Sequence, residues 1–507
     1  MKEAKWFWWS LLVLTIVRAL FVAFVPLELV GDEAYYWDWG RHLDWGYFSK
    51  PPLIAWMMGF AGWVGGNTAV GLRLVAVALG SLTLIFAFLL ARKMFDARVA
   101  FWSAAALALM PGTAVANLIL TIDAPLLLCW TGALWATWSW QRAGARFDGY
   151  WLAMVGFLAV GALAKQMMLV FPLILVIYLA LSRETRSTLA RPALWTGIVA
   201  QYLALLPPLY WNWQNDWITF EHTAHHFETD KVVTLGKRLG WLGEFVGSQL
   251  GLMSPVLGVL LVIVLIRVVR NWGGASLAQR FLWCFSAPAL GVFVLMSLRQ
   301  GINPNWPAAF YPAALILLVA CWLQPRPEER RAVKGWFGGA LWTAFAFTAL
   351  LVAAPFIIQF TLSQGWEKDP FVRMRGWKPY AQAVDAVRDE LPQPDRTFFY
   401  IVGHRYHASQ LAFHLPEQPK VFHWATPGHI DSQYQLWEGP GEARAGWDAL
   451  IIMAEFGDDA QPPAELTAHF QSVERLETIR IPVGPVRTRD YVLFLGRGWQ
   501  ESAPVAP

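Results

Sequence analysis

Five separated stretches of this chain hold residues able to do acid–base or ionic chemistry, and all lie at the ends of apolar runs. The first reads Gly31-Asp32-Glu33-Ala34-Tyr35-Tyr36, then Tyr47-Phe48-Ser49-Lys50-Pro51-Pro52. It joins two adjacent carboxylates to a lysine that the double proline bars from any through-running helix. After Glu33, aromatic and polar residues alternate at helical spacing, as in a helix lying in a membrane interface. The plainer reading is a solvated loop with an aromatic belt. The second stretch is Thr121-Ile122-Asp123-Ala124-Pro125. Asp123 either caps the helix that follows or serves a site, and the two roles are compatible. The third is Ala164-Lys165-Gln166, a cation between two apolar runs; as a snorkelling lysine it needs no function. The fourth holds Glu221, His225 and His226. Glu221 and His225 share one helix face, which suits a divalent cation and equally suits a polar interfacial helix. The fifth, Arg299-Gln300-Gly301-Ile302-Asn303-Pro304-Asn305-Trp306-Pro307, brings the amides of Asn303 and Asn305 to the head of another apolar run.

These groups together suit one kind of chemistry best. A lipid phosphate needs fixed cations at its headgroup, a groove between helices for its tail, and a carboxylate near the reacting carbon. A transporter would carry its polar residues in mid-span, on helices broken at the bilayer centre, and few such residues occur here. A receptor or scaffold has no use for two lysines beside carboxylates at headgroup height.

The elements that must position them are membrane helices. Of 507 residues, 56% are hydrophobic and only 15% charged, against roughly 25% charged in soluble domains. The mean hydropathy is +0.39, and apolar runs near the ~20-residue bilayer span recur over the first two thirds of the chain. This excludes soluble, disordered and disulfide-stapled classes. The 31 tryptophans fit rings that favour membrane interfaces. A net charge of +4 gives no nucleic-acid footprint, and Cys129, Cys284 and Cys321 all fall in apolar runs. The fold class is a polytopic α-helical membrane protein of about eleven spans. They fall near 6–30, 68–91, 99–118, 123–140, 150–164, 167–182, 193–211, 241–266, 281–298, 305–323 and 336–360. Alternate loops then hold the positive charge: Arg92, Lys93 and Arg98, later Arg183, Arg186 and Arg191, later Arg326, Arg330 and Arg331. The positive-inside rule puts the N-terminus in the cytoplasm and everything beyond the last span outside it.

Two domains are expected: a transmembrane domain over 1–360 with its first outer loop at 31–67, and an extracytoplasmic α/β domain over 361–507. In the second, strand-like runs at 397–402, 449–453 and 491–495 alternate with helix-like ones at 380–390 and 408–414. It has no glycine-rich phosphate loop and no nucleophile elbow. Its five histidines (His404, His407, His414, His423, His429) read as surface or core residues.

The first-loop motif, with Asp123, Lys165 and Asn303-Pro304-Asn305-Trp306-Pro307, resembles the glycosyltransferases that include protein O-mannosyltransferases and lipid A aminoarabinose transferases. The tail segment Ser432-Gln433-Tyr434-Gln435-Leu436-Trp437 is similar to tails of bacterial members. The resemblance implies a GT-C fold in a bacterial inner membrane. It implies an inverting transfer of a sugar from polyprenyl (undecaprenyl) phosphate to lipid A, an envelope glycan or protein at the periplasmic face. Asp32 matches the acidic residue near the acceptor, with Asp123 as the second carboxylate, and Lys50 and Lys165 match lysines of the donor phosphate. Glu33, Tyr35, Tyr36, Asn303 and Asn305 are then substrate-binding candidates. The aminoarabinose branch has a metal-binding glutamate just before the lysine, where this chain has Ser49. A metal site copied from that branch therefore does not carry over; the sequence itself requires no cofactor, a divalent metal stays an open alternative, and Glu221, His225 and His226 are the candidates for it. A sugar-lipid flippase is the alternative from another class.

Overall fold

The computed structural model describes residues 2–225, 233–324, 330–360, 369–426, 428, 430–485 and 487–501. The chain forms two compact units. One comprises Met1–Phe24, Lys50–Ile54 and Val70–Ala353; the other comprises Val25–Ser49, Ala55–Ala69 and Ala354–Pro507. The division is not a single cut near 360, because most of the first outer loop groups with the C-terminal residues.

The first unit is helical. Among the described residues six helices are long and apolar enough to cross a membrane, including Ala69–Met94, Pro192–Gln214, Leu277–Ser297 and Trp306–Leu323. Several of the other expected spans are shorter helices, such as Ala97–Ala108, Gly149–Ala164 and Gln166–Leu181. Local chemistry sets their ends. Asp96 accepts from the N–H groups of Arg98 and Val99 at the start of Ala97–Ala108, and Asp148 accepts from Trp151 N at the start of Gly149–Ala164. Both satisfy amides that a helix start leaves unpaired. Gly132 lets Gly149–Ala164 pack closely on Asp123–Arg142, since a Cβ there would lie 2.6 Å from the Phe157 ring. Trp130, fully buried, sits edge-on to Phe171 and Phe310 at 5.1 and 5.0 Å.

One expected span differs. A single helix over 241–266 is in fact two, Leu235–Met253 and Pro255–Arg270, bent by 105°. Ser254 between them has φ 75° and ψ 141°, outside the helical region, and Pro255 lacks the N–H that would carry the ladder across. Hydropathy is blind to both. At Lys165 the expected separation of two short helices is present: the residue is extended, with φ −159° and ψ 139°.

The second unit carries a five-stranded sheet of β1 (Thr397–Val402), β2 (Val421–Trp424), β3 (Asp448–Ala454), β4 (Ser472–Gly484) and β5 (Arg487–Arg497). Its order is β2-β1-β3-β5-β4. The first three strands run parallel, and β5 pairs antiparallel with β3 and β4. Phe398, Tyr400, Val402, Ile451 and Phe494 pack on one face of it. The helices Trp377–Asp389 and Arg405–His414 complete the α/β layer. The helix Gly31–Gly40 belongs to this unit, and every residue from Glu33 to Trp39 is buried. Trp37 meets Phe413 edge-on at 4.9 Å, and Tyr35 lies 5.8 Å from Tyr434. The aromatic run expected to lie in an interface is therefore packed against protein, a long-range contact that helical periodicity cannot reveal.

Candidate active site

Three of the expected site residues meet within the first unit. Asp123 opens the helix Asp123–Arg142 and is 7% exposed. Its Oδ1 accepts from Lys165 Nζ at 2.8 Å and its Oδ2 from Asn305 Nδ2 at 2.6 Å. Each partner comes from a different break in helical structure. Lys165 occupies the extended residue between two helices, and Asn305 precedes the short turn Trp306–Phe310. The side chains of Lys165 and Asp123 are only 12% and 9% exposed. A charge so placed needs its partner, because desolvation is costly for an unpaired ion. Asp123 also lies at the positive end of its helix dipole. With both oxygens engaged, it holds the lysine and the amide in place.

Next to Asn305 the network reaches an apolar cavity. Pro304 O accepts from Gln249 Nε2 at 3.0 Å, and Gln249 Oε1 accepts from the Tyr311 hydroxyl. Gln249 and Tyr311 line a cavity of about 400 Å³ whose other walls are apolar, among them Leu261, Val262, Leu265 and Leu290. Sequence reading missed Gln249. An amide inside a membrane helix was its only signal.

Lys50 belongs to the same unit, half-buried ahead of Pro51-Pro52 and the helix Leu53–Gly65. Asn303 is exposed, its carbonyl accepting from Trp306 N. Glu221 lies on the helix Ile218–His225 and is exposed. The His225 side chain and all of His226 fall outside the described residues. Among the described residues no three His, Cys, Asp or Glu side chains group as a metal site.

The first-loop residues form a network of their own in the second unit. Asp32 is exposed in the first turn of Gly31–Gly40, and its Oδ1 accepts from the Tyr406 hydroxyl at 2.9 Å. Burial and the Asp32 charge push the Tyr406 phenol up to about 12. Glu33 is fully buried, and its Oε2 accepts from Val30 N at 3.1 Å, reaching back over the helix start. The Tyr35 hydroxyl accepts from Gln433 N at 2.6 Å, and burial raises its pKa. Tyr36 is buried with its ring 5.0 Å from Trp39. Asp38, a further carboxylate of this loop, has no role assigned from sequence. It is buried, accepts from the Tyr434 hydroxyl at 2.6 Å and pairs with Arg41 at 3.2 Å. Desolvation still holds its carboxyl above the usual range. The tail segment Ser432–Trp437 thus serves the first-loop helix: Gln433 Oε1 also accepts from Phe48 N at 2.7 Å.

Comparison with known proteins follows this geometry. The family model for dolichyl-phosphate-mannose-protein mannosyltransferase matches residues 49–211. The lipid A galacturonosyltransferase RgtD of Rhizobium johnstonii is 27% identical over 313 residues, 61% of this chain and 63% of that protein. The matched part therefore spans under two thirds of that relative. Crystal structures of ArnT from Cupriavidus metallidurans, apo and bound to undecaprenyl phosphate, align with a TM-score of 0.60 at 18% identity. They cover 97% of this chain and 98% and 97% of theirs. The chain shares their GT-C fold, helical membrane part and small C-terminal sheet domain together. These matches bear out the bacterial glycosyltransferase resemblance carried by the first-loop motif.

Proposed function

We propose that this protein is a glycosyltransferase of a bacterial inner membrane that moves a sugar from undecaprenyl phosphate to lipid A or a related envelope glycan. One observation carries the reading: an apolar cavity whose polar end, Gln249 and Tyr311, is hydrogen-bonded onward through Pro304 and Asn305 to the Asp123–Lys165 pair. A polyprenyl phosphate has that same order of parts, an apolar tail followed by an anion. The relative named for lipid A and the neighbour solved with undecaprenyl phosphate support the choice of acceptor and carrier.

In this reading Lys165 and Lys50 neutralise the leaving phosphate. Its negative charge grows as the glycosidic bond breaks, so cations fixed beforehand favour the transition state over the bound donor. Asp123 keeps Lys165 extended toward that charge, and Asn305 keeps Asp123 in register. Attack opposite the leaving group inverts the anomeric carbon. A hydroxyl acceptor must lose a proton, for which Asp32 is the proposed base; a phosphate acceptor is already an anion and needs none. Glu33, Tyr35 and Tyr36 act by building the loop that presents Asp32. The N-terminus is assigned to the cytoplasm and the C-terminal domain to the periplasm, on the positive-inside pattern of the loops.

The test is a reconstituted assay in proteoliposomes with labelled sugar-linked undecaprenyl phosphate and lipid A. Transfer predicts release of undecaprenyl phosphate that depends on the acceptor. A flippase would move the labelled lipid across the bilayer without consuming it, and that result would overturn the proposal.

A further inference from the structure

A second cavity lies entirely within the C-terminal sheet domain. In the order β2-β1-β3-β5-β4, strand β1 has parallel neighbours on both sides. The chain leaves β1 through the helix Arg405–His414 toward β2 on one side, and later returns to β3 on the other. Where strand order reverses in this way, the connections diverge and open a crevice at the carboxyl ends of the strands, the usual ligand position in such sheets. A cavity of about 600 Å³ occupies that place, bordered by the last residues of β1, β2 and β3. The rest of its working surface is His404, Arg405, His407, Trp424, Asp431 and Glu455. None of these takes part in the Asp123–Lys165 network.

The backbone is shaped for this opening. Gly403, just past β1, has φ 139°, and a Cβ there would lie 3.1 Å from the Ala454 Cβ. Glu455, just past β3, holds φ 65°, a conformation that costs a non-glycine residue energy and recurs at ligand sites. Two buried side-chain atoms beside the cavity make no hydrogen bond among the described residues. His407 is 5% exposed, and its Nδ1 makes no hydrogen bond. Burial keeps its imidazole neutral, with a pKa lowered to about 3. Its Nε2 is 3.9 Å from Glu455 Oε2, too far for a hydrogen bond. Arg405 Nε is buried and likewise unpartnered. The guanidinium is held 5.2 Å from the Tyr35 ring and 5.1 Å from that of Tyr406, and it also donates to the Tyr406 hydroxyl.

The set of groups narrows the chemistry. A bare anion would meet Arg405 but also the carboxylates of Asp431 and Glu455. A bare cation would meet Arg405. A pyranose bearing a carboxylate suits this mixture: its acid would pair with Arg405, its hydroxyls would serve Asp431 and Glu455, and its C–H face would cover Trp424. The volume also suits a small ligand. We propose that this crevice is a carbohydrate site for an acidic sugar, separate from the Asp123–Lys165 network.

The test uses the full-length protein in nanodiscs, without donor, and saturation-transfer NMR with D-galacturonate, D-galactose and inorganic phosphate. Galacturonate should bind, galactose should bind at least about tenfold more weakly, a difference of about 1.4 kcal/mol, and phosphate should not displace galacturonate. Arg405→Gln should abolish the preference for the acid, and Trp424→Ala should weaken both sugars. Asp431→Asn, at an exposed residue that leaves the sheet untouched, should weaken galacturonate several-fold and keeps the test open if the other variants fail to fold. Equal binding of the two sugars, displacement by phosphate, or wild-type binding in all three variants would overturn the proposal.

Discussion

The Lys165–Asp123 pair makes the most exacting prediction. At 2.8 Å and an effective dielectric near 20, the gross attraction of two unit charges is about 6 kcal/mol. Most of that offsets the cost of taking both groups out of water, so the measurable quantity is the penalty of breaking the pair from one side. Asp123→Leu leaves the Lys165 ammonium buried without a counter-charge, which costs about 3–5 kcal/mol. It also strips Asn305 Nδ2 of its acceptor, a loss that water largely makes good because Asn305 is exposed. Lys165→Met is milder. The stranded carboxylate keeps its bond from Asn305 and lies at a helix N-terminus, where the dipole returns about 0.3–1 kcal/mol. The double variant removes both charges, so it should be more stable than the sum of the singles implies, by up to about 3 kcal/mol of coupling. The four proteins can be compared by detergent-driven unfolding in bicelles. Purely additive effects, or Lys165→Met less stable than Asp123→Leu, would refute the account of why these residues are paired.

Three further outcomes follow. Lys50→Met and Lys165→Met should each lower turnover by about 10²–10³ in the reconstituted assay, the usual cost of one lost charge-stabilising donor; near-normal rates in both would remove the phosphate clamp. Val262→Trp, at an exposed residue lining the apolar cavity, should raise KM for a full-length polyprenyl donor and leave a two-isoprene analogue unaffected; equal effects on both would mean that the cavity holds no lipid tail. The third concerns pH. Burial lowers His407 to about 3 from an unfolded value near 6.5, so the unfolded chain binds more protons throughout that window. Stability is therefore complete above pH 6.5 and falls with acidification, by about 2 kcal/mol from this residue at pH 5. His414, lowered to about 4, acts in the same direction. Pulse proteolysis of the C-terminal domain between pH 7.5 and 5 should show the loss, and His407→Gln should flatten it.

The legible parts of this fold were those written in local pattern. The runs that became β1, β3 and β5 are dense in apolar and β-branched residues, and each was recognisable as a strand. Strand β2 has only four residues, too few for periodicity to register. Strand β4 has a register shift between Arg475 and Thr478, which breaks its alternation just where a pattern would be sought. For the site, residue type and position at helix ends singled out Asp123, Lys165 and Asn305 individually. Their meeting was not legible, because the contacts join residues 42 and 182 positions apart. The same holds for Asp32 and Tyr406, separated by 374 positions. A tyrosine in a soluble-looking tail gives no hint that its hydroxyl reaches the first loop.

The second unit is sewn from early and late parts of the chain, and that fixes an order in time. The helix Gly31–Gly40 is made first, yet Tyr434 and Phe413, which pack on its Tyr35 and Trp37, lie beyond Ala354. About 280 residues of membrane helix must be synthesised and inserted in between. At roughly 5–20 residues per second this is a wait of about 15–60 seconds. Throughout it, Tyr35 and Asp38 stand without Tyr434, and Trp37 without Phe413. The last stretch translated is therefore the one that closes the first loop. A nascent chain released short of β1 would carry its complete set of membrane helices and still present Asp32 on an unassembled helix, so the order of synthesis itself withholds the loop until the whole protein has been made.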